Sequence, residues 1–235
     1  METVSKKYRC ASIDIGVKNL ALCVNEFLER GDGTFAFNLV HIERVAIGRS
    51  SDTMHVLAKR LLAFYDTNDA LTKQRLDFVF IEQQLSRAVK NIVLAYTTMA
   101  YFETRNKIGR DSDSDRDATK VVFVSPAKKF KAIKFTFPSD LVKSIDFDRR
   151  GRNLKKLSVD VATLLFTSFD VEVGLRALSQ YRTKLDDVSD VFLQSFAFFL
   201  EKFSSKPVVH VRGDGAFSFI GAEKHGQCED ADEKA

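Results

Sequence analysis

The chain has 235 residues, 45% of them apolar and 29% charged, which suits one globular domain with at most a small appendage and excludes a disordered or fibrous polymer. Its formal charge of +4, from 36 Lys and Arg against 32 Asp and Glu, is too mild to announce a polyanionic partner unaided. Cys10, Cys23 and Cys228 are too few and too widely spaced for a disulfide framework or a metal-ligand pattern, the start Met1-Glu2-Thr3-Val4 lacks a signal-peptide pattern, and no run is apolar enough to span a membrane, so an intracellular, soluble protein is expected.

In chain order, Tyr8 to Ile15 and Asn19 to Phe27 alternate as strands around the turn Gly16-Val17-Lys18, and Phe35 to Ala46 follows the Gly31-Asp32-Gly33 turn as a third, antiparallel strand. Ser50-Ser51-Asp52-Thr53 offers N-cap oxygens, and Met54, Leu57, Leu61, Leu62 and Tyr65 recur at helical spacing through Asp66. Phe78 to Glu82 is almost entirely apolar and ends in a carboxylate, the pattern of a buried parallel strand. From Ala88 to Arg105 apolar residues cover more than one face of a long helix, which predicts burial on two sides, one of them open to another subunit.

Ile108 to Ala118 reads as a polar, Asp-rich loop. Val121 to Val124 is a further strand, closing at Ser125-Pro126, and Asn153 to Phe169 and Asp186 to Phe203 are helices. Val208 to Val211 and Ala216 to Ile220 around Gly213-Asp214-Gly215 form a small hairpin, and an acidic tail expected to be disordered follows. The organisation expected is a main domain over 1–203, an extension over 204–222 and a tail over 223–235. The order β-β-β-α-β-α-β-α-α predicts an α/β fold in which a mixed sheet of about five strands is flanked by helices.

Charge is unevenly spread. The last eight residues set Glu229, Asp230, Asp232 and Glu233 against Lys234 alone, whereas Lys128, Lys129, Lys131, Lys134, Lys143, Arg149, Arg150, Arg152, Lys155 and Lys156 face only Asp140, Asp146 and Asp148. Taken alone such a run is a solvated face; beside a phosphoryl-transfer site it would hold a phosphate backbone without reading its sequence.

Four carboxylates stand where a sheet protein can gather them. Asp14 lies inside an otherwise apolar strand, where an ionised group asks for a compensating cation. Glu82 would arrive beside it if the two strands were parallel neighbours, and Asp187 and Asp190 share a helix face. Each has an ordinary reading alone: Asp14 as a turn acid, Glu82 as a helix-start acid, Asp187 and Asp190 as first-turn acids favoured by the helix dipole. Together, oxygen-only ligands without Cys or His favour Mg²⁺, or Mn²⁺ in its place, over zinc, and two such ions form the usual clamp on a phosphodiester. His41, His55, His210 and His225 are scattered and read as structural or surface residues.

Ile13-Asp14-Ile15-Gly16-Val17-Lys18-Asn19-Leu20-Ala21, Ile81-Glu82-Gln83-Gln84 with Asn91 following, and Lys184-Leu185-Asp186-Asp187-Val188-Ser189-Asp190 resemble, in this order, the three motifs of the Holliday junction resolvases of poxviruses and other large DNA viruses, and more distantly those of fungal mitochondrial resolvases and bacterial RuvC. The resemblance spans roughly Tyr8 to Phe203. It implies an RNase H-like fold, a homodimer, and Mg²⁺-dependent paired nicking of four-way DNA junctions in a viral setting, in the cytoplasm of an infected cell or in the virion. Carried over by position, it makes Asp14, Glu82, Asp187 and Asp190 the metal ligands and catalytic acids, leaving Asp186 as the lesser candidate. Ser125-Pro126-Ala127 and Lys155-Lys156-Leu157-Ser158-Val159 also look like family segments, so Lys156 is the choice for a lysine at the scissile phosphate, with Lys155 close behind. The DNA contacts expected are Lys18, Gln83, Gln84, Lys128, Lys129, Lys131, Arg149, Arg150, Arg152 and Lys155. Val17 and Val188 depart from the motifs, and residues after Phe203 have no counterpart. No membrane or small-molecule cofactor is expected. Two other functions stay open: a general RNase H-like nuclease on hybrids or flaps, and a non-catalytic junction-binding protein.

Overall fold

The structure, a computed structural model, describes residues 4–30, 35–108, 118–136, 143–147, 153–181, 183–203, 209–211 and 217–219. The Gly31-Asp32-Gly33 and Gly213-Asp214-Gly215 turns, most of the Asp-rich loop, Arg149, Arg150, Arg152 and the acidic tail lie outside them.

Three long strands open the chain: β1 (Val4–Asp14), β2 (Leu20–Arg30) and β3 (Phe35–Val45), paired antiparallel in sequence. The turn after β1 requires Gly16, since a Cβ there would meet the Asn19 carbonyl oxygen at 2.6 Å. The Val17 carbonyl accepts from the Ile47 and Gly48 amides (3.0 and 3.1 Å), tying this turn to the chain leaving β3.

Helix α1 (Met54–Thr67) is capped by the Thr53 hydroxyl, which accepts from the Val56 amide, and buries Leu57, Leu61 and Tyr65. A short α2 (Asp69–Thr72) follows, and β4 (Phe78–Glu82) then pairs parallel with β1. Next come α3 (Val89–Ile108), β5 (Lys120–Val124), parallel to β4, α4 (Lys128–Thr136), α5 (Asn153–Ser168), α6 (Glu172–Gln180) and α7 (Leu185–Phe203). The short strands β6 (Val209–Val211) and β7 (Phe217–Phe219) pair with each other, and β7 meets β3 at Phe35↔Phe217. The full strand order is β5-β4-β1-β2-β3-β7-β6.

Side-chain alternation divides the sheet into two cores. Ala11, Ile13, Leu22, Val24, Val79 and Ile81 face α1 and α3, where Leu57, Leu61, Tyr65, Leu94 and Phe102 cover them. Cys10, Cys23, Phe27, Phe78 and Phe80 face the other way, against α5, α6 and α7, and this core is built from phenylalanine: Phe166, Phe192, Phe196 and Phe199 pack onto the strands. Phe27 stacks on Phe199 with centroids 3.9 Å apart, and Phe80 lies 4.4 Å from Phe198. Much of the chain's Phe content thus clamps one helix, α7, to the sheet.

Three helices were not legible. In α4, lysines interrupt the apolar period. In α6 the buried positions include Gly174 and Ala177, and Gly174 packs so closely on Phe166 that a Cβ would stand 2.6 Å from its ring; a helix that buries small residues has little hydrophobic signal. The one-turn α2 is too short for any periodic pattern. Among the described residues no helix is long and apolar enough to cross a membrane.

Candidate active site

Asp14 and Glu82 are the last residues of two neighbouring parallel strands, and the register that pairs Ile13 with Ile81 puts the two acids side by side at the strands' C-terminal ends. Each continues the parity of Ser12 and Phe80, so both belong to the face covered by α7. Below them the strands are closed by apolar packing: Ile13, Val79, Phe80 and Ile81 are buried. The acids therefore sit where the sheet ends and the helix layer begins.

The start of α7 is set by Arg44 of β3. Its guanidinium Nη1 donates to the carbonyls of Thr183 (2.7 Å) and Lys184 (3.3 Å), its backbone N–H donates to the Tyr181 hydroxyl (3.0 Å), and its charge stands 5.0 Å over the Tyr181 ring. Lys184 takes a left-handed backbone (φ 60°), a conformation a side chain makes costly; the Arg44 bonds hold that bend. Val188, Val191, Phe192, Phe196 and Phe199 then bury the inner face of the helix, which fixes the rotation that carries Asp187 and Asp190 toward the strand ends.

The four acids share one electrostatic field. Burial raises the Asp14 pKa to about 6, with the charges of Asp190 and Asp187 adding and the Gln84 hydrogen bond and Lys129 opposing. Glu82 is pushed up to about 8, by burial first and then by Asp14, against the pull of Lys129. Asp187 is also raised, by burial and by Asp186 beside it. Elevation of this kind is what carboxylates show when they are buried close to one another.

Partner groups fall into two sets. Gln84 Nε2 donates to Asp14 Oδ1 (3.3 Å), and Asn91 Nδ2 donates to Gln84 Oε1 (3.4 Å), so the second motif supplies a relay that orients the acid of the first. Lys129, only 6% exposed, brings its ammonium to 2.5 Å from Asp190 Oδ1, an ion pair outside hydrogen-bond angles. Asp187 Oδ2 is buried with no hydrogen-bond partner. Unsatisfied carboxylate oxygens in a group of four acids, with no His or Cys among them, form the donor chemistry that a hard divalent cation prefers. The acids are coupled but not drawn into a cage: among the described residues no group of three or more His, Cys, Asp or Glu is arranged to hold a metal ion.

The other residues singled out above lie as follows. Asp186 is engaged by Lys155 at 2.5 Å, leaving Asp187 with Asp190 as the acids turned to the strand ends. Lys156 is exposed on α5, Lys131 on α4 and Lys18 in the turn after β1, while Gln83 is exposed and uses its backbone N–H on the Val124 carbonyl (2.9 Å). Gln84 directs its amide to Asp14 and Lys129 its ammonium to Asp190. Arg44 and the Gln84–Asn91 relay were not assigned these positions by sequence; the signals were an arginine inside an otherwise moderately apolar strand and an Asn nine residues beyond Glu82.

Three antiparallel strands followed by two parallel ones, in the order β3-β2-β1-β4-β5 with helices on both faces, define an RNase H-like fold of the RuvC kind. Among solved structures the chain is similar to the yeast mitochondrial Holliday junction resolvase Ydc2, with 15% identity over 82% of this chain and 79% of that one (TM-score 0.50). It is also similar to Thermus thermophilus RuvC, with 16% identity over 82% and 96% (TM-score 0.50), and to the same protein in complex with a Holliday junction substrate, with 14% identity over 82% and 94% (TM-score 0.48). At such identities the likeness is one of fold. No protein-family model and no curated protein matches the chain.

Proposed function

We propose that the chain is a Holliday junction resolvase, a divalent-cation-dependent endodeoxyribonuclease that acts as a homodimer and makes paired symmetric nicks in four-way DNA junctions. The observation that carries this reading is the coupling of Asp14, Glu82, Asp187 and Asp190 at the sheet end, on a fold similar to that of a protein named as such a resolvase. In this reading the four acids hold Mg²⁺, two ions per site, with Mn²⁺ able to substitute. Bound Mg²⁺ supplies Lewis acidity at the phosphodiester and lowers the pKa of water. The chain's own residues do the rest: Gln84 orients Asp14, Lys129 balances charge at Asp190, and Lys156 or Lys155 meets the scissile phosphate. Lys18, Gln83, Lys128, Lys131, Arg149, Arg150 and Arg152 hold the DNA backbone.

Paired cutting needs two sites related by a two-fold axis. The outer face of α3 supports a place for that axis, since Val89, Val93 and Tyr96 on it and Leu85 in the segment before it are 66%, 43%, 56% and 63% exposed, an apolar row unusual for a surface. The working unit is residues 1–203, with 204–222 an extension and 223–235 a tail. The likeness of the three motifs to viral resolvases supports a role in viral DNA recombination or replication.

An immobile four-way junction labelled on each strand in turn decides the matter. Expected are Mg²⁺-dependent nicks at symmetric positions on two opposed strands, abolished by Asp14→Asn with junction binding kept. Efficient cutting of RNA–DNA hybrids or flaps without paired junction nicks would assign the fold to a general nuclease instead, and tight binding without any cutting to a silent junction-binding protein.

A further inference from the structure

Beside the acids, between β5 and α7, lies a cavity of about 100 Å³ whose walls include Phe123, Val124, Ser125, Lys129, Gln194 and Phe198. By the allowance of one water for each ~10–15 Å³ of such space it holds several waters, or one small planar ring. Its chemistry is selective. Gln194 is 3% exposed, and neither its amide oxygen nor its amide nitrogen has a hydrogen-bond partner. A buried amide with both ends unsatisfied is costly, and more than nine-tenths of buried polar groups escape that state. The cost is offset if a ligand presents a donor and an acceptor side by side.

We propose that this cavity is a nucleobase subsite, taking a base from a nucleotide close to the bond that is cut. The inference rests on the nuclease reading for the origin of the base but not for its binding. Gln194 offers one donor edge and one acceptor edge, matched to the polar edge of a base. Lys129 in the same wall has donors only, so the base must present an acceptor to it, a ring carbonyl or a ring nitrogen. Phe198 supplies a ring face for stacking. Lys129 also touches Asp190, which places the subsite within one nucleotide's reach of the acids. A base leaves its stack to enter, at a cost smallest where pairing is already broken, as at a junction's crossover.

Titration calorimetry follows binding on the full-length, unlabelled protein. Titration with each of the four deoxynucleosides, without metal, should give saturable binding heat for at least one base, and 2-deoxyribose 5-phosphate should give none. Gln194→Leu should weaken that binding by tenfold or more, with the thermal midpoint checked; Gln194→Glu, which keeps the acceptor and loses the donor, is the second variant if the first fails to fold. Absence of saturable binding, or binding unchanged by removing the amide, overturns the proposal. Saturable binding in a protein that never cuts junctions would sink the nuclease reading and leave the subsite standing; paired nicking without nucleoside binding would do the reverse.

Discussion

The two faces of the sheet solve the same packing problem with different materials. Against α1 and α3 the core is mainly aliphatic and most of its polar groups are answered: the Tyr65 hydroxyl meets the Thr98 hydroxyl at 2.8 Å, and Tyr101 donates to Asp66 at 2.7 Å, while Arg9 Nε and His41 Nε2 have no hydrogen-bond partner. Against α7 the core is a lattice of phenylalanine, and beside it Ser12, Asp187, Ser189 and Gln194 have buried polar atoms with no partner. Buried groups are normally satisfied, so unanswered ones gathered mainly on the α7 face suit a surface built to take a ligand. The aromatic packing is what lets α7 tolerate them: rings at 3.9 to 6.1 Å along Phe27, Phe166, Phe169, Phe192, Phe196 and Phe199 hold the helix while its first turns present charge.

If that division of labour is right, damage to the two parts of the α7 face must differ in kind. The largest effect on stability is expected from Phe199→Ala, which removes the ring stacked on Phe27 and edge-on to Phe35 (5.5 Å); about 3–5 kcal/mol should be lost in denaturant unfolding. A loss below about 1 kcal/mol would break the comparison. Asp14→Asn and Glu82→Gln should instead lower junction cleavage by more than about 10²-fold, because even an outer partner of a metal ligand is worth 10–100-fold. Their metal-free thermal midpoints should hold or rise, since a desolvated, repelled charge is removed. Variants that are both inactive and unstable would make these acids structural.

How much of this the sequence discloses depends on whether a residue's role is local. Each of Asp14 and Glu82 has an ordinary structural reading alone, so their neighbouring strand-end positions were legible only in conjunction, and parallel pairing needs only that β4 join β1. Asp187 and Asp190 were legible because i, i+3 spacing shares a helix face. Lys129 could not be told from Lys128 or Lys131: its burial comes from the packing of α4 on α7, which a lysine-rich segment does not announce. Arg44 acts on a turn about 140 positions away, and no pattern within β3 points there. The five-strand frame was read in order, while β7 joins it through a contact as long-range as Phe35↔Phe217.

A third test reaches outside both cores. Among the described residues, the exposed row along α3 is where the aliphatic side resembles an unfinished core, and a two-fold partner would complete it. Val89→Asp should raise the dimer dissociation constant tenfold or more, as a charge buried at an interface costs at least ~1.4 kcal/mol. Sedimentation should then report monomer, and junctions should receive single rather than paired nicks. Wild-type protein that is monomeric when cutting both strands would remove α3 from the account.

The smallest expected effect is a pH slope, and it belongs to the α7 face alone. Asp14 and Glu82 rise from ordinary values of 3.8 and 4.5 to about 6 and about 8 in the folded chain. Between the ordinary and the raised values the folded state holds more protons than the unfolded one, so the slope of unfolding free energy with pH is negative there. Without metal, stability from these groups is therefore greatest near pH 4 and declines as the pH rises toward 8. Mg²⁺ must bind the deprotonated acids, so its stabilisation grows over the same interval and opposes the decline. Thermal midpoints in EDTA should fall by a few degrees across this range, recover with Mg²⁺ most at the alkaline end, and lose part of the slope in Glu82→Gln. The Tyr65–Thr98 pair opposite cannot produce such a slope, because burial moves the Tyr65 hydroxyl upward, away from this range. A flat metal-free profile, or one unchanged by Glu82→Gln, would mean that the acids do not sense one another and that the contrast between the two faces is one of packing only.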